Sequence, residues 1–416
     1  MTMVLTNDIM IMLLIKLSIK KIMLSSLCSS SFIGTESENL ENEADRYLYC
    51  QGSRLLARHP IEIAMLELLP ILRAPIVQAP MAGVTKPAMV IAACKAGIIG
   101  SHGGGMLSPD QLRADIREIR EAVGYKPFNI NLFVLDSKYA DSSYSYAFSA
   151  DEKSWVDSYY EKQGLQAPSG NAPYAPDFEK QFEVIMAEKP PIASFAFGII
   201  NSDQVTALKH RNIKLVGTAT NVNEAVEWAR IGADAIVAQG SEAGGHRGGW
   251  LDSGVPGMGT IKLVTAIRDK VPHVPVIAAG GIVDGKKLFE AVDAGAAMAQ
   301  VGTPFLFGQE AGLNSTHIRG LQEAQATAFT KGFTGRYARG VVNSFMQYAE
   351  GKPTAPYPIQ NRLTQPLRAD SAKRGSWESM SLWAGEGLTT LPRQVEPVAT
   401  ITERLAKQYN QLKSKV

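Results

Sequence analysis

Residues 238–249 read Ala-Gln-Gly-Ser-Glu-Ala-Gly-Gly-His-Arg-Gly-Gly and follow the short apolar run Ala235–Val237. Such a run reads as a buried strand. Glycines let a backbone approach a flat or phosphorylated ligand and adopt torsions that other residues avoid. A histidine held among them, here His246, can exchange protons near neutral pH. The competing reading is a long glycine turn with an exposed histidine. Glu242 is expected to orient this loop or to pair with Arg247. His102 lies in a second glycine-rich segment, Ser101–Gly105, and is a candidate lining residue. His59, His210, His273 and His317 fall in tail, helix or connection contexts and read as structural.

Two further glycine signals follow apolar runs. Gly280 and Gly281 come after Val276–Ala279, and Gly302 and Thr303 come after Ala297–Val301. Backbone N–H groups at such turns can cradle a phosphate; the alternative is tight helix–strand turns. Met81, Asn131, Thr218 and Gln239 also stand at the ends of apolar runs. They are soft or neutral hydrogen-bonding groups with no metal-ligand cluster beside them. Such a set suits an isoalloxazine ring, which a protein tunes through hydrogen bonds and backbone amides. Met81 could equally fill core, and Asn131 and Gln239 could satisfy buried backbone.

The elements that must position these residues repeat as strand, loop, helix. Strands are expected at 76–79, 97–99, 128–134, 192–197, 214–217, 235–238, 276–279 and 297–301. Helix starts are marked by Pro87, by Ser108 before Pro109, by Asn221 with Glu224 in a capping-box pattern, and by Asp284. Gly232 and Gly295 mark helix ends. Eight strands that nearly all end in glycine or small polar residues indicate an α/β fold, a (β/α)8 TIM-type barrel with its site at the strand C-termini. An open doubly wound sheet would usually carry one glycine fingerprint after its first strand instead. Residues 136–176 read as a surface excursion. Residues 308–380 read as a helical insertion after the eighth strand, with helices over 315–331 and 335–349 and a proline-broken stretch after them. The last barrel helix is expected at 395–412.

Composition bounds the rest. The chain has 416 residues, 45% of them hydrophobic and 20% charged, with a net charge of +2. Neither nucleic acid nor a membrane is indicated as a partner. Three scattered cysteines, Cys28, Cys50 and Cys94, suggest a reducing, cytoplasmic setting. Residues 1–64 lack the later pattern and read as a disordered or non-native extension, with Met65 as a plausible start. The barrel is assigned to 65–307, the insertion to 308–380 and the last barrel segment to 381–416.

The segments Pro-Ile-Val-Gln-Ala-Pro-Met-Ala-Gly-Val (75–84), Gln-Gly-Ser-Glu-Ala-Gly-Gly-His-Arg-Gly (239–248) and Ala-Ala-Gly-Gly-Ile (278–282) resemble those of nitronate monooxygenases. Residues 356–361 and 382–387 resemble the class I branch of that family. The resemblance implies non-covalent FMN, with Met81 and Gly83 near the ring and Asn131, Thr218 and Gln239 bonded to it. Gly281, Gly302 and Thr303 would hold the phosphate, with Gly240, Gly245 and Gly280 completing the cofactor set. His246 would sit beside the ring as base or as partner of the nitro group. The implied activity is oxidation of alkyl nitronates, such as propionate 3-nitronate, by O2 to a carbonyl compound and nitrite, by a monomer or homodimer. The histidine loop also resembles that of FMN-dependent NAD(P)H reductases of enoyl thioesters or quinones. Where the family often has Gln, this chain has Glu386, expected at a peripheral loop position. Tyr337, Tyr348 and Tyr357 are candidates to shape the substrate pocket.

Overall fold

The computed structural model describes residues 72–251 and 257–415. The expectations for residues 1–64, Met65 and His59 lie outside them. Eight parallel strands form the centre: β1 (Ile76–Gln78), β2 (Gly100–Gly103), β3 (Phe128–Phe133), β4 (Ile192–Ala196), β5 (Lys214–Ala219), β6 (Ala235–Gln239), β8 (Val276–Ala279) and β9 (Met298–Val301). They pair in the order β1-β9-β8-β6-β5-β4-β3-β2. A bridge between Val77 and Ile99 closes the ring. This is a (β/α)8 barrel. Its interior is filled by Val77, Ile99, Ile192, Val216, Val237, Ile277 and Met298, all buried. A larger apolar shell joins the outward faces of the strands to the surrounding helices.

Local chemistry explains the helix boundaries. Ser108 accepts a hydrogen bond from the Gln111 N–H, with Pro109 in the first turn, at the start of α2 (Pro109–Val123). Asn221 caps α6 (Val222–Arg230), and Asp284 caps α8 (Gly285–Asp293). The capping box at Asn221 is not reciprocal. Glu224 turns instead to the Thr220 N–H and hydroxyl, at 2.6 and 2.9 Å, and to the Leu251 N–H at 2.9 Å. It thereby ties the end of β5 to the far end of the histidine loop.

Four expectations are corrected. The second strand lies at Gly100–Gly103, not 97–99. Its glycines hide it from a hydrophobic reading because helix and loop crowd against it. A Cβ on Gly100 would stand 2.5 Å from the Val90 carbonyl oxygen, and one on Gly103 would stand 2.7 Å from the Ala82 nitrogen. The 136–176 segment is not merely superficial. Its helix α3 (Ala150–Lys162) buries Trp155, Tyr159 and Tyr160 against Phe345 and Leu363. The two long helices expected in the insertion are a mixture of helix and strand: α9 (Ser315–Glu323), β10 (Thr327–Thr330), β11 (Ala338–Val341) and α10 (Ser344–Ala349). Strand β11 pairs antiparallel with β10 on one side and with β7 (Gly245–His246) on the other. The partner of β11 is the histidine loop itself, far away in the chain, so no local periodicity could have shown it. Pro366 does not break the chain either; it lies within α11 (Ile359–Lys373). The last helix, α12, spans Val398–Lys413.

Candidate active site

The C-terminal ends of the barrel strands open into a cavity of about 770 Å³. This is within the range of roughly 300–1,000 Å³ usual for ligand sites. Met81, Gly83, Asn131, Thr218, Gln239, Gly245, His246, Gly280, Gly281, Gly302 and Thr303 all line it. One expected member does not. Gly240 packs against the start of α7 (Thr260–Lys270), where a Cβ would stand 2.1 Å from Thr260 Oγ1.

The histidine loop is held from three sides. Gln239 Nε2 donates to the His246 carbonyl at 2.9 Å, and Gln239 Oε1 accepts from the Gly248 N–H at 2.7 Å. Thus Gln239 braces the loop as well as facing the cavity. Glu242 accepts from the Thr260 N–H and hydroxyl, both at 2.9 Å, and so orients the loop by capping α7. From the insertion, Arg339 donates twice to the Ser241 carbonyl, at 3.1 and 3.0 Å.

The His246 ring packs against Phe197, Tyr357 and Trp383, with centroids 5.4–5.6 Å away. Its Nε2 lies 2.9 Å from Thr334 Oγ1. Thr334 spends its one hydroxyl hydrogen on the Arg336 carbonyl, at 3.1 Å. Its oxygen must therefore accept from His246, which places the imidazole proton on Nε2 and the lone pair on Nδ1. Burial, helped by Arg336 and Arg368, pulls the His246 pKa from 6.5 down to about 3. The ring is neutral at physiological pH and only weakly basic. Phe197, beside it, has φ +74°. A non-glycine residue in that region stores backbone strain, a feature common at functional sites.

A cofactor can be tested against this lining. Gly280 and Gly281 have φ +119° and +68°, conformations that favour glycine, and both line the cavity at the end of β8. Gly83, φ +80°, would carry a Cβ into open space, with no atom within 4 Å. Asn131 is 6% exposed and donates from Nδ2 to Ser194 Oγ at 2.9 Å. No described residue donates to its Oδ1. A glycine turn at the end of β8, open space beside Gly83 and a buried amide with an open acceptor can accommodate a flavin nucleotide.

Other expectations divide. Of the three tyrosines only Tyr357 lines the cavity. Tyr348 belongs to an aromatic cluster with Trp155 and Tyr159, and Tyr337 stacks beneath Lys331. His102 is 3% exposed and lies away from the lining, with Nε2 2.8 Å from Asp115 Oδ2. Glu386 is exposed and does not line the cavity, while its neighbours Gly385 and Gly387 do. Cys94 is a buried free thiol whose pKa burial pushes up to about 11. Lining residues outside the quoted motifs were missed, namely Phe133, Phe197 and Arg368, while Trp383 stands within the 382–387 motif but was given no role there. Arg368 had one signal, a cation on the helix directly after the Tyr357 motif.

The nitronate monooxygenase family model matches residues 64–408. The chain belongs to that family. A probable nitronate monooxygenase of Staphylococcus aureus is 36% identical over 348 residues, covering 81% of this chain and 95% of the relative. Among solved structures, a nitroalkane oxidase from Streptomyces ansochromogenes superposes with a TM-score of 0.74 at 31% identity, covering 84% of this chain and 99% of that one. FabK from Thermotoga maritima superposes with a TM-score of 0.64 at 26% identity, covering 84% and 96%. The protein is an oxidoreductase of this family. No helix among its described residues is long and apolar enough to cross a membrane.

Proposed function

We propose that the protein is an FMN-dependent nitronate monooxygenase that takes its substrate already ionised. One observation carries this reading. The cavity offers Arg368 and a neutral, weakly basic His246, and no described lining residue is acidic. Such a site receives an anion well and removes a carbon-bound proton poorly. A nitronate is an anion that has already lost that proton.

Gly280, Gly281, Gly302 and Thr303 would hold the FMN phosphate, with Met81 and Gly83 along the ring and Asn131 and Thr218 bonded to its polar edge. When bound, FMN supplies the electron transfer between substrate and O2. The protein's own residues orient and shield. Phe197, Tyr357 and Trp383 wall the histidine and exclude water. His246 keeps its proton at Nε2, on Thr334, and presents Nδ1 as an acceptor. For a neutral nitroalkane the same Nδ1 is the base that would take the α-proton. The products are a carbonyl compound and nitrite.

The likeness to FabK makes NAD(P)H-dependent reduction of an enoyl thioester or quinone the alternative. FMN-loaded protein supplied with propionate 3-nitronate in air is expected to release nitrite and consume O2 without NADH. Absence of nitrite, together with steady NADH oxidation on a quinone or enoyl thioester, would replace this reading with the alternative.

A further inference from the structure

Arg368 lies on α11, in the insertion, and reaches the cavity beside Tyr357 and Asn361. Its contacts are all neutral. Nη2 donates to the Asn361 carbonyl and Oδ1, both at 2.8 Å, Nη1 to Ser381 Oγ at 3.3 Å, and Nε to the Thr364 carbonyl at 3.4 Å. A guanidinium has five N–H donors, so these four contacts leave Nη1 with one to offer. No described carboxylate forms an ion pair with Arg368, and the groups that act on its charge are the tyrosines Tyr160 and Tyr357. Burial lowers its pKa only to about 10, so it remains charged at neutral pH. A cation taken out of water without a counter-ion is costly. Its planar fork is suited to a carboxylate or similar anion. A second cation, Arg362, also lines the cavity and is exposed, placed to attract anions toward the opening.

The place of Arg368 separates it from the cofactor phosphate. It acts electrostatically on both His246 and Tyr357, whereas the phosphate turn is built from the ends of β8 and β9. Its neighbours Asn361, Thr364 and Ser381 fix the guanidinium before any ligand arrives. This inference rests on the proposed nitronate chemistry. We propose that Arg368 is the specificity-determining anchor of the substrate. It binds an anionic group remote from the carbon that reacts, so nitronates bearing a carboxylate are preferred over alkyl nitronates whose only charge is the nitronate itself.

The test compares wild type, Arg368→Lys and Arg368→Met as FMN-loaded proteins on propionate 3-nitronate and on propyl-1-nitronate. Losing a charge-assisted contact should raise KM for the carboxylated substrate roughly 10–100-fold in Arg368→Met, with kcat little changed. Arg368→Lys should recover part of the loss. Propyl-1-nitronate, whose only charge is the nitronate itself, should lose much less, so the preference for the carboxylated substrate in kcat/KM should fall at least about tenfold in Arg368→Met. A parallel titration of the same three proteins with butyrate, by calorimetry, needs no turnover. Butyrate should bind wild type and fail to bind Arg368→Met. If no nitronate is turned over but butyrate binding depends on Arg368, the nitronate reading fails and the anion site stands. Equal losses on both nitronates, or butyrate binding that ignores Arg368, would overturn the anchor.

Discussion

At the scale of single residues, His246 shows how environment redefines a motif. The glycine-rich loop marked it from sequence as a proton-exchanging group, and the cavity places it where such a group would act. Its surroundings then remove most of its basicity, through burial and the charges of Arg336 and Arg368. The loop sequence carries no sign of this, because the two arginines come from residues about 90 and 120 positions away (the aromatic walls likewise). Two consequences follow. The nitronate pH profile should show no inflection near 6.5 from this histidine, whose protonation is displaced to about pH 3. On neutral nitroalkanes, His246→Asn should lower kcat/KM about 10²–10⁴-fold, the usual contribution of a positioned base. On the preformed nitronate its effect should be much smaller. Equal losses on the two substrates would remove the base role from His246.

At the scale of elements, the barrel was legible because each strand must bury itself twice. Strands with apolar runs, such as Ala235–Gln239 and Val276–Ala279, announce themselves, and Ser108, Asn221 and Asp284 announce the helices. β2 was displaced in the reading because close packing demanded glycine where hydrophobicity would have marked a strand. β10 and β11 were missed because their pairing is with each other and with β7, which lies outside the insertion. This small sheet transmits the insertion's structure to His246. Arg339 is its clasp, stacked on Phe329 with its carbon 4.3 Å from the ring centroid and donating twice to the Ser241 carbonyl. Arg339→Met keeps much of the apolar stem but leaves that carbonyl without these donors, at a cost of about 1–3 kcal/mol. Reduced FMN affinity and a lower melting temperature are expected together, measured by flavin titration and calorimetry. An unchanged flavin affinity would show that the sheet does not position the loop.

For the whole molecule, two part-buried histidines contribute to the acid response. His246 and His317 have pKa values lowered to about 3 and about 4, both chiefly by burial. Above pH 6.5 both are neutral whether folded or unfolded, so neither affects stability there. Below 6.5 the unfolded chain takes up protons that the folded chain refuses. Stability therefore falls as pH drops, until the folded values near 4 and 3 are reached. Each histidine contributes a slope of up to about 1.4 kcal/mol per pH unit in that window. Melting temperature followed from pH 7 to 4 should fall less steeply in His317→Gln than in wild type. Identical curves would remove His317 from the acid response.

The proposed activity depends on a cofactor reduced by a nitronate. The most direct measurement is anaerobic mixing of the FMN-loaded protein with propionate 3-nitronate and, separately, with NADH, following the flavin absorption. Rapid loss of the oxidised flavin band with the nitronate, and none with NADH, is the predicted result. Bleaching by NADH alone, or a purified protein that takes up no FMN, would contradict it.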